Sequence, residues 1–308
     1  MKAKLYRSTL KSGSIMSGYY KYSDVFQLLE SKKTSPTRRG KYFDIEYNEA
    51  YSRLLPAEIK IESEDHAFAV DRQRERAHLD FLKELVALLS VVMNQYCEID
   101  FNKEVHILPD TQERIFEFSD VSSTHEIRRD PNRISQRQNF TMSFVSIHPE
   151  ADAFFNNYFK LDDVARSKYN ASIFLYQSMR KIFLTSASMA IVGLISAIEN
   201  LMELERVRNK IIMSQCKECK SPIYKISARF KEFMLKYSEF EVDNKNKLLN
   251  KFYSRRSEIS HTGAILEIDQ LISRFSMQEH REFTEIETHV RIALFNYLLK
   301  YDFQKTSA

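Results

Sequence analysis

The part of the chain that follows Pro149 is nearly free of the two residues that interrupt helices. The full sequence holds only 5 Gly and 6 Pro, and of these only Gly193, Pro222 and Gly263 lie beyond Pro149. Apolar residues recur in this part at intervals of three and four, the period of an amphipathic helix. We therefore predict an all-helical bundle over residues 151–308.

Individual helices of the bundle are predicted from this period and from helix-terminating residues. Three strong patterns cover about 161–184, 186–208 and 277–301. A fourth helix is expected to have Pro222 at its first position, and a fifth is expected to have Asp243 as its N-cap. Gly263 is expected to end the fifth helix, because glycine readily adopts the left-handed conformation found at helix C-termini.

Residues 1–150 have a mixed character that predicts a separate, smaller α/β domain. Residues 71–96 have a strong helical period, and a polar, basic loop is expected over 32–41. Four segments have the pattern of short strands: 41–47, 57–63, 104–110 and 141–149. The predicted fold class is therefore α+β, with a mixed α/β N-terminal domain followed by an all-α bundle.

The sequence predicts a cytoplasmic protein without a membrane partner. Its first residues carry positive charge but no apolar stretch, so they do not have the pattern of a signal peptide. The most apolar runs, 82–93 and 186–198, are too short to cross a bilayer. An odd count of 3 Cys predicts no disulfide framework.

Positive charge is concentrated in one segment of the chain. The net charge is only +4, but Arg206–Arg256 holds 14 Lys and Arg against 5 Asp and Glu. Such a segment suits a polyanion such as RNA, and the alternative is a solvated helix face. A second basic stretch, 123–139, could also touch nucleic acid or could be an exposed loop.

The end of that segment, YSRRSEISHTG from Tyr253 to Gly263, combines groups that phosphate chemistry uses. Arg256 and His261 are separated by four residues, and Arg255 and His261 by five. On a regular helix these two pairs lie roughly 140° and 120° apart, so neither pair shares a face. If they act together, either the helix loosens near Ser260 or the pair meets a partner chain.

This stretch resembles the signature of HEPN domains, helical bundles whose motif is Arg, four to six residues, then His. The form Tyr-x-x-Arg-Ser, followed by His-x-Gly, is similar to the ApeA-like branch, as are LISAIENLMELE at 194–205 and the following CKEC and YKISARFKEF stretches. The resemblance covers about 185–300. It implies a metal-independent ribonuclease whose homodimers bring two motifs together in a basic cleft. It also implies prokaryotic defence against phage, with the N-terminal domain in a sensing or regulatory role.

The resemblance also implies roles for individual residues. Arg256 and His261 are the expected catalytic pair, with Arg255 as an alternative to Arg256 because the arginine is doubled. Ser257 stands where many family members have Asn, Asp or His, and its hydroxyl can still donate to phosphate. Three basic residues are expected RNA contacts: Arg255, Lys251 and Arg229.

These residue types suit cleavage of RNA by its own 2′-hydroxyl group. An imidazole exchanges protons near neutral pH, so His261 can remove the proton of that hydroxyl. Arg256 stays charged and presents a planar fork to phosphate oxygens. Catalysis therefore needs no cofactor, and the expected products carry 2′,3′-cyclic phosphate and 5′-hydroxyl ends. DNA lacks the nucleophile and should be inert.

Glu199 lies near the apolar face of its predicted helix, beside Ile195, Ile198 and Met202. A carboxylate that points into a bundle needs a cationic partner or hydrogen bonds. Arg256 is the candidate partner, and the alternative is a boundary glutamate that reaches solvent.

Cys216 and Cys219 form a single C-x-x-C pair. A structural zinc ion needs four ligands, and one pair supplies two. Three interpretations stay open: two chains each contribute a pair, a distant His assists, or the thiols are free.

A second hypothesis for the whole chain is a catalytically inactive module of the same fold that binds RNA or another protein. Both hypotheses predict RNA binding, so only cleavage separates them.

Overall fold

The computed structural model describes residues 5–32, 41–52, 64–101, 112–136, 144–183, 185–211, 225–238, 245–270 and 277–304, without the side chains of 64–77 and 277. The chain divides into two compact units. The first comprises residues 1–133 and 139–149, and the second comprises 134–138 and 150–308. The fold is α+β, because an antiparallel sheet in the N-terminal part is followed by a helical region.

The sheet of the first unit is antiparallel throughout. Its strands are β1 (Leu5–Ser12), β2 (Tyr20–Tyr22), β3 (Phe26–Glu30), β4 (Lys41–Asn48), β5 (Cys97–Ile99) and β6 (Gln112–Ile115). Their order is β2-β3-β4-β1-β5. β1 pairs with β4 along its whole length, while β6 and β5 pair with its first and last parts.

Alternation along β1 and β4 places an aromatic surface on one face of the sheet. Tyr6 lies opposite Tyr47 in the strand register. Helix α1 (Glu64–Val92) packs on this face, since the His78 ring stacks 4.1 Å from the Tyr6 ring and Phe81 lies edge-on to Tyr47. The helical pattern expected over 71–96 corresponds to α1.

The opposite face of the sheet buries charge. Glu46 is fully buried, and its carboxylate accepts hydrogen bonds from Arg7 Nη2 at 2.5 Å and from the Ser119 amide at 2.8 Å. Gln27 Nε2 adds a longer contact of 3.3 Å. A buried carboxylate is tolerated only when its oxygens are paired in this way, so Glu46 ties three strands and the segment that follows β6 to one another.

The second unit is helical. Its helices are α2 (Ala151–Lys160), α3 (Asp163–Ile182), α4 (Ala187–Arg208), α5 (Ile226–Tyr237), α6 (Lys245–Thr262), α7 (Glu267–Gln270) and α8 (Met277–Leu299). The patterns expected over 161–184, 186–208 and 277–301 correspond to α3, α4 and α8. The short helices α2 and α7 have no counterpart among the predicted ones.

Several expected helix boundaries can be compared with the described residues. Pro222 and Asp243 lie outside them, and α5 begins at Ile226, directly after Lys225 in the left-handed region at φ 41°. The described start of α5 therefore differs from the expected start at Pro222. The expected stop at Gly263 is confirmed, because α6 ends at Thr262 and Gly263 has φ 69°.

The strand expectations have mixed outcomes. Segment 41–47 lies within β4, whereas 57–63, 104–110 and most of the loop at 32–41 lie outside the described residues. Segment 141–149 is wrong as a strand in its described part. Phe144 and Ile147 there form only isolated bridges, to Ile15 and Arg129 respectively. Because these two partners lie far apart in the chain, no continuous hydrogen-bonded ladder forms.

The described part of the basic stretch 123–139 packs as irregular structure. Arg133 is only 6% exposed, and its Nε donates to the Met93 carbonyl at 2.6 Å. The Arg129 guanidinium lies 5.7 Å from the centre of the Tyr20 ring. Arg128 alone among these three arginines is exposed. Two of the three arginines therefore stabilise the fold of the first unit.

A buried charged cluster lies in the helical unit. Arg291 of α8 is fully buried, and its Nη1 contacts Glu287 Oε1 at 2.5 Å. Its Nε and Nη2 donate to the carbonyls of Ile134 and Gln136, each at 2.8 Å. Tyr176 also donates to Glu287, at 2.5 Å. Arg291 thereby holds the short segment that begins at Ile134 in the helical unit.

Helix α4 is the most apolar helix of this unit. Its length and composition would allow it to cross a membrane, but 67% of its most apolar window is buried inside the protein. Burial of this kind is compatible with the core helix of a soluble protein. Gly193 permits close packing of α4 on α3, since a Cβ there would lie 2.1 Å from Met179 Sδ.

Candidate active site

An ion pair between α4 and α6 forms the centre of the candidate site. Arg256 Nη2 donates to Glu199 Oε2 at 3.2 Å, and each side chain is 21% exposed. The contact expected between these two residues is therefore present. Both groups lie at the edge of the bundle, where a ligand can reach them and where water only partly screens their charges.

Tyr253 belongs to the same cluster. Its hydroxyl donates to Glu199 Oε1 at 3.3 Å, and its ring centre lies 5.9 Å from the Arg256 guanidinium. Tyr253 and Arg256 are three residues apart on α6 and so share a face. Burial raises the pKa of Tyr253, and the Glu199 carboxylate raises it further. The phenol therefore stays protonated at neutral pH and donates to Glu199.

Arg256 retains unused hydrogen-bonding capacity. Its Nε is buried and has no hydrogen-bond partner among the described residues. A buried donor without an acceptor is unfavourable by about 1–3 kcal/mol. Because Nε itself is enclosed, an anionic ligand at the bundle edge can bind only the other N–H groups of the guanidinium, whose side chain is 21% exposed.

His261 lies on the same helix but on another face. It is exposed in the last turn of α6, which continues without a break to Thr262. Thr262 Oγ1 donates back to the Glu258 carbonyl at 2.6 Å, so the helix does not loosen near Ser260. On a regular helix Arg256 and His261 then lie roughly 140° apart and about 7.5 Å apart along the axis. A single chain does not bring the two side chains together.

The residues after the motif tie the end of α6 to the start of α4. The Leu266 amide donates to Ser188 Oγ at 2.9 Å. Asp269 accepts hydrogen bonds from the amides of Ala187 at 2.6 Å and Ser188 at 2.9 Å. Glu279 of α8 in turn accepts the amides of Glu267 and Ile268, at 3.1 and 2.8 Å. The chain segment that follows α6 is therefore anchored at several points to α4 and α8.

Arg255 faces a different set of partners. Its Nε lies 3.3 Å from Glu282 Oε1, and its Nη1 lies 3.4 Å from Glu258 Oε2. Lys251, one turn earlier on α6, lies 3.2 Å from Glu282 Oε2. Arg255 is thus held between two carboxylates, whereas Arg256 has one. Arg256 is therefore the less neutralised of the two arginines.

The remaining predicted site residues are more dispersed. Arg229 on α5 donates to the Met202 carbonyl at 3.1 Å and lies 3.9 Å from Glu203. Ser257 is half-buried on α6. Each of the three expected RNA contacts, Arg229, Lys251 and Arg255, therefore already has a carboxylate partner within the protein.

The cysteine pair cannot be placed. Cys216 and Cys219 lie outside the described residues. Among the described residues, no group of three or more His, Cys, Asp or Glu side chains could hold a metal ion.

Two of the contacting residues, Tyr253 and Glu282, were not among the expected site residues, although Tyr253 belongs to the Tyr-x-x-Arg-Ser form. The position of Tyr253 beside Arg256 could have been predicted, because Tyr253 lies three residues before Arg256 and therefore on the same helix face. No sequence pattern predicts the contacts of Glu282. It lies on another helix, and only the packing of α8 against α6 brings it to Arg255 and Lys251.

Comparisons of the chain with protein-family models, curated proteins and solved structures found no match. The cluster around Arg256 and the exposed His261 are therefore the features of this chain that bear on its function.

Proposed function

We propose that this chain is a metal-independent endoribonuclease of the HEPN type. The observation that carries the proposal is the Glu199–Arg256 ion pair, which fixes the motif arginine at the edge of a helical unit. His261 follows on the same helix in an exposed position. The two groups supply the cation and the proton acceptor that RNA cleavage requires.

The proposed reaction uses the nucleophile of the RNA itself. His261 accepts the proton of a 2′-hydroxyl group, and the 2′-oxygen attacks the adjacent phosphorus. The bond from phosphorus to the 5′-oxygen breaks, the leaving oxygen takes a proton from water, and His261 returns its proton to the solvent. Arg256 stabilises the charge on the phosphate oxygens as the phosphorane forms. The products carry a 2′,3′-cyclic phosphate and a 5′-hydroxyl end.

The proposed active form is a homodimer. Arg256 and His261 point to different sides of an unbroken helix, so one motif alone does not surround a phosphate. In a dimer that apposes two α6 helices, Arg256 of one chain can lie beside the motif histidine of the partner chain. Two composite sites then form across the interface, as two-fold symmetry requires.

The proposed setting is the cytoplasm of a prokaryote, where the enzyme would cleave cellular or viral RNA during phage infection. The N-terminal unit would then sense a trigger or regulate the nuclease. A structural zinc ion held by Cys216 and Cys219 is a separate proposal, which metal analysis of the purified chain and of a Cys216→Ser variant would test.

The decisive experiment compares the wild-type chain with His261→Ala and Arg256→Ala on total RNA in EDTA. We expect fragments with cyclic-phosphate ends from the wild type only. Lys83→Ala is the matched control, because Lys83 also pairs with a carboxylate, Asp80 at 3.3 Å, and belongs to the first unit rather than to the motif. Cleavage that persists in His261→Ala would contradict the proposal.

A catalytically inactive RNA-binding or protein-interaction module is the second candidate. The observation that favours it is the unbroken course of α6 through Thr262, because Arg256 and His261 then form no catalytic pair within one chain. Tight RNA binding without cleavage, in a chain shown to be dimeric, would favour this candidate.

A further inference from the structure

A pocket of about 510 Å³ lies between α6 and α8. Lys251 of α6 lines it, together with Gln278, Arg281, Glu282 and Glu285 of α8. Its volume falls within the range of about 300–1,000 Å³ that small-molecule sites occupy. Each described lining residue ends in a polar or charged group, but most of the surface that faces the pocket is the aliphatic part of these side chains, so the pocket suits a ligand with both an apolar face and polar groups.

Two of the charged groups in the pocket are already paired, and two are available. Lys251 and Glu282 contact each other at 3.2 Å, and Glu282 is almost fully buried. Within the described part of the chain, Arg281 and Glu285 form no ion pair or hydrogen bond. Arg281 is exposed and Glu285 is half-buried. A ligand in this pocket can therefore bind one cation, Arg281, and one carboxylate, Glu285.

A nucleotide carries the groups that match this pair. Its phosphate can bind the planar fork of Arg281. A guanine base presents two adjacent N–H donors, N1 and the 2-amino group, which one carboxylate accepts together. Uracil presents a single N–H between two carbonyl oxygens, and a carboxylate repels those oxygens. Glu285 is therefore suited to distinguish guanine from uracil.

The pocket lies beside the candidate active site along α6. Glu282, in the pocket, contacts Arg255 at 3.3 Å, and Arg255 is the direct neighbour of Arg256. A chain of RNA whose cleaved phosphate binds Arg256 can therefore place an adjacent nucleotide between α6 and α8.

We propose that this pocket binds one nucleotide of the RNA substrate and that Glu285 selects guanine there, with Arg281 on its phosphate. The role of the pocket in substrate selection rests on the proposed ribonuclease function. Nucleotide binding itself requires no cleavage, so binding and cleavage can be tested separately.

The test titrates 5′-GMP, AMP, CMP and UMP into full-length His261→Ala protein by calorimetry. We expect GMP to bind most tightly and UMP most weakly. Glu285→Gln should reduce the preference for GMP over UMP about tenfold, since a bidentate base contact contributes roughly that much discrimination. Arg281→Ala should weaken all four nucleotides alike. Glu232→Gln, an exposed carboxylate on α5, is the matched control and should change nothing.

Equal affinity for GMP and UMP, no saturable binding, or an unchanged preference in Glu285→Gln would each overturn the pocket proposal. A second arm sequences the ends of fragments that the wild type and Glu285→Gln produce from random single-stranded RNA. Guanine should be enriched beside the cut in the wild type only. Guanine-selective binding without any cleavage would support the pocket proposal and contradict the nuclease proposal. Cleavage without guanine preference in either arm would support the nuclease proposal and contradict the pocket proposal.

Discussion

Glu199 is the residue on which the candidate site depends, because its two carboxylate oxygens contact different partners. One oxygen accepts the Tyr253 hydroxyl, and the other lies 3.2 Å from Arg256. With both oxygens engaged, the carboxylate has little freedom to rotate, and the guanidinium is oriented with it. In the proposed nuclease this places Arg256 before substrate arrives, which is the condition for effective charge stabilisation.

Tyr253→Phe should lower the rate of RNA cleavage about twofold to tenfold, because Glu199 then orients Arg256 less firmly. The variant removes one hydrogen bond to Glu199, an interaction with a net contribution of about 0.5–1.5 kcal/mol. Single-turnover cleavage with saturating RNA measures the effect. Tyr237→Phe is the matched control, since the Tyr237 hydroxyl donates at 3.0 Å to Glu205, another glutamate on α4. If both variants retain full activity, Tyr253 does not position the arginine.

Arg291→Met should destabilise the helical unit by about 3–5 kcal/mol, because it leaves a buried carboxylate with one fewer cation. Burial opposes the charge of Glu287, but Arg291 and then Arg180 hold its pKa below the ordinary value. Urea denaturation at neutral pH measures the loss. Arg206→Met is the control, since the half-exposed pair of Arg206 with Glu203 should contribute about 1 kcal/mol or less. Similar losses in the two variants would contradict the prediction.

At the scale of elements, the start of α4 is capped by a residue from a distant part of the chain. Ser186 is the local N-cap, and Asp269 accepts the amides of Ala187 and Ser188. Burial alone would raise the pKa of Asp269, but the hydrogen bonds from Ser188, Ala187 and Ser186 outweigh it and hold the pKa below the ordinary 3.8. The ionised form of Asp269 is therefore the one that stabilises the fold.

Asp269→Asn should lower the free energy of unfolding by about 1 kcal/mol at pH 7, the usual contribution of a helix cap. Because the folded-state pKa is lowered, the stabilisation is present above the unfolded pKa and is lost as pH falls through the folded one. The difference between the wild type and Asp269→Asn should therefore shrink below about pH 4. Urea denaturation at pH 7 and pH 3 measures it, with Glu232→Gln as the control. A difference that grows at pH 3 would contradict the assigned direction.

At the scale of the whole molecule, the unbroken course of α6 has a consequence for assembly. Arg256 and His261 cannot meet within one regular helix, so the proposed nuclease would need two chains. In that proposal Glu199 and Tyr253 support only the arginine of each site.

A mixture of His261→Ala and Arg256→Ala chains should therefore recover activity that neither variant has alone. In a mixed dimer, one composite site keeps an intact arginine from one chain and an intact histidine from the other. After exchange of subunits we expect roughly a quarter of wild-type activity, because half of the dimers are mixed and each has one intact site of two. RNA cleavage before and after co-refolding measures this. No recovery, with mixed dimers shown by mass spectrometry, would place each site within one chain.

The long helices could be predicted because their information is local. Apolar side chains at intervals of three and four mark α3, α4 and α8 along the sequence itself. Gly263 marks the end of α6 through its own backbone freedom, seen in its φ of 69°. The presence of Arg256, His261 and Glu199 on helices followed from the same patterns.

The sheet and the site contacts depend on tertiary structure, because they join residues that are far apart in the chain. The first forty residues are too polar to predict strands, yet β1 forms there and pairs with β4. Arg7 and Ser119 satisfy the buried Glu46 of β4 across 39 and 73 residues. Glu199 and Arg256 are 57 residues apart, and only the packing of α4 against α6 brings them to 3.2 Å. The residue types that can do chemistry are therefore visible in the sequence. The pairing of these charged side chains depends on how the helices and strands pack, and that packing exists only in the folded chain.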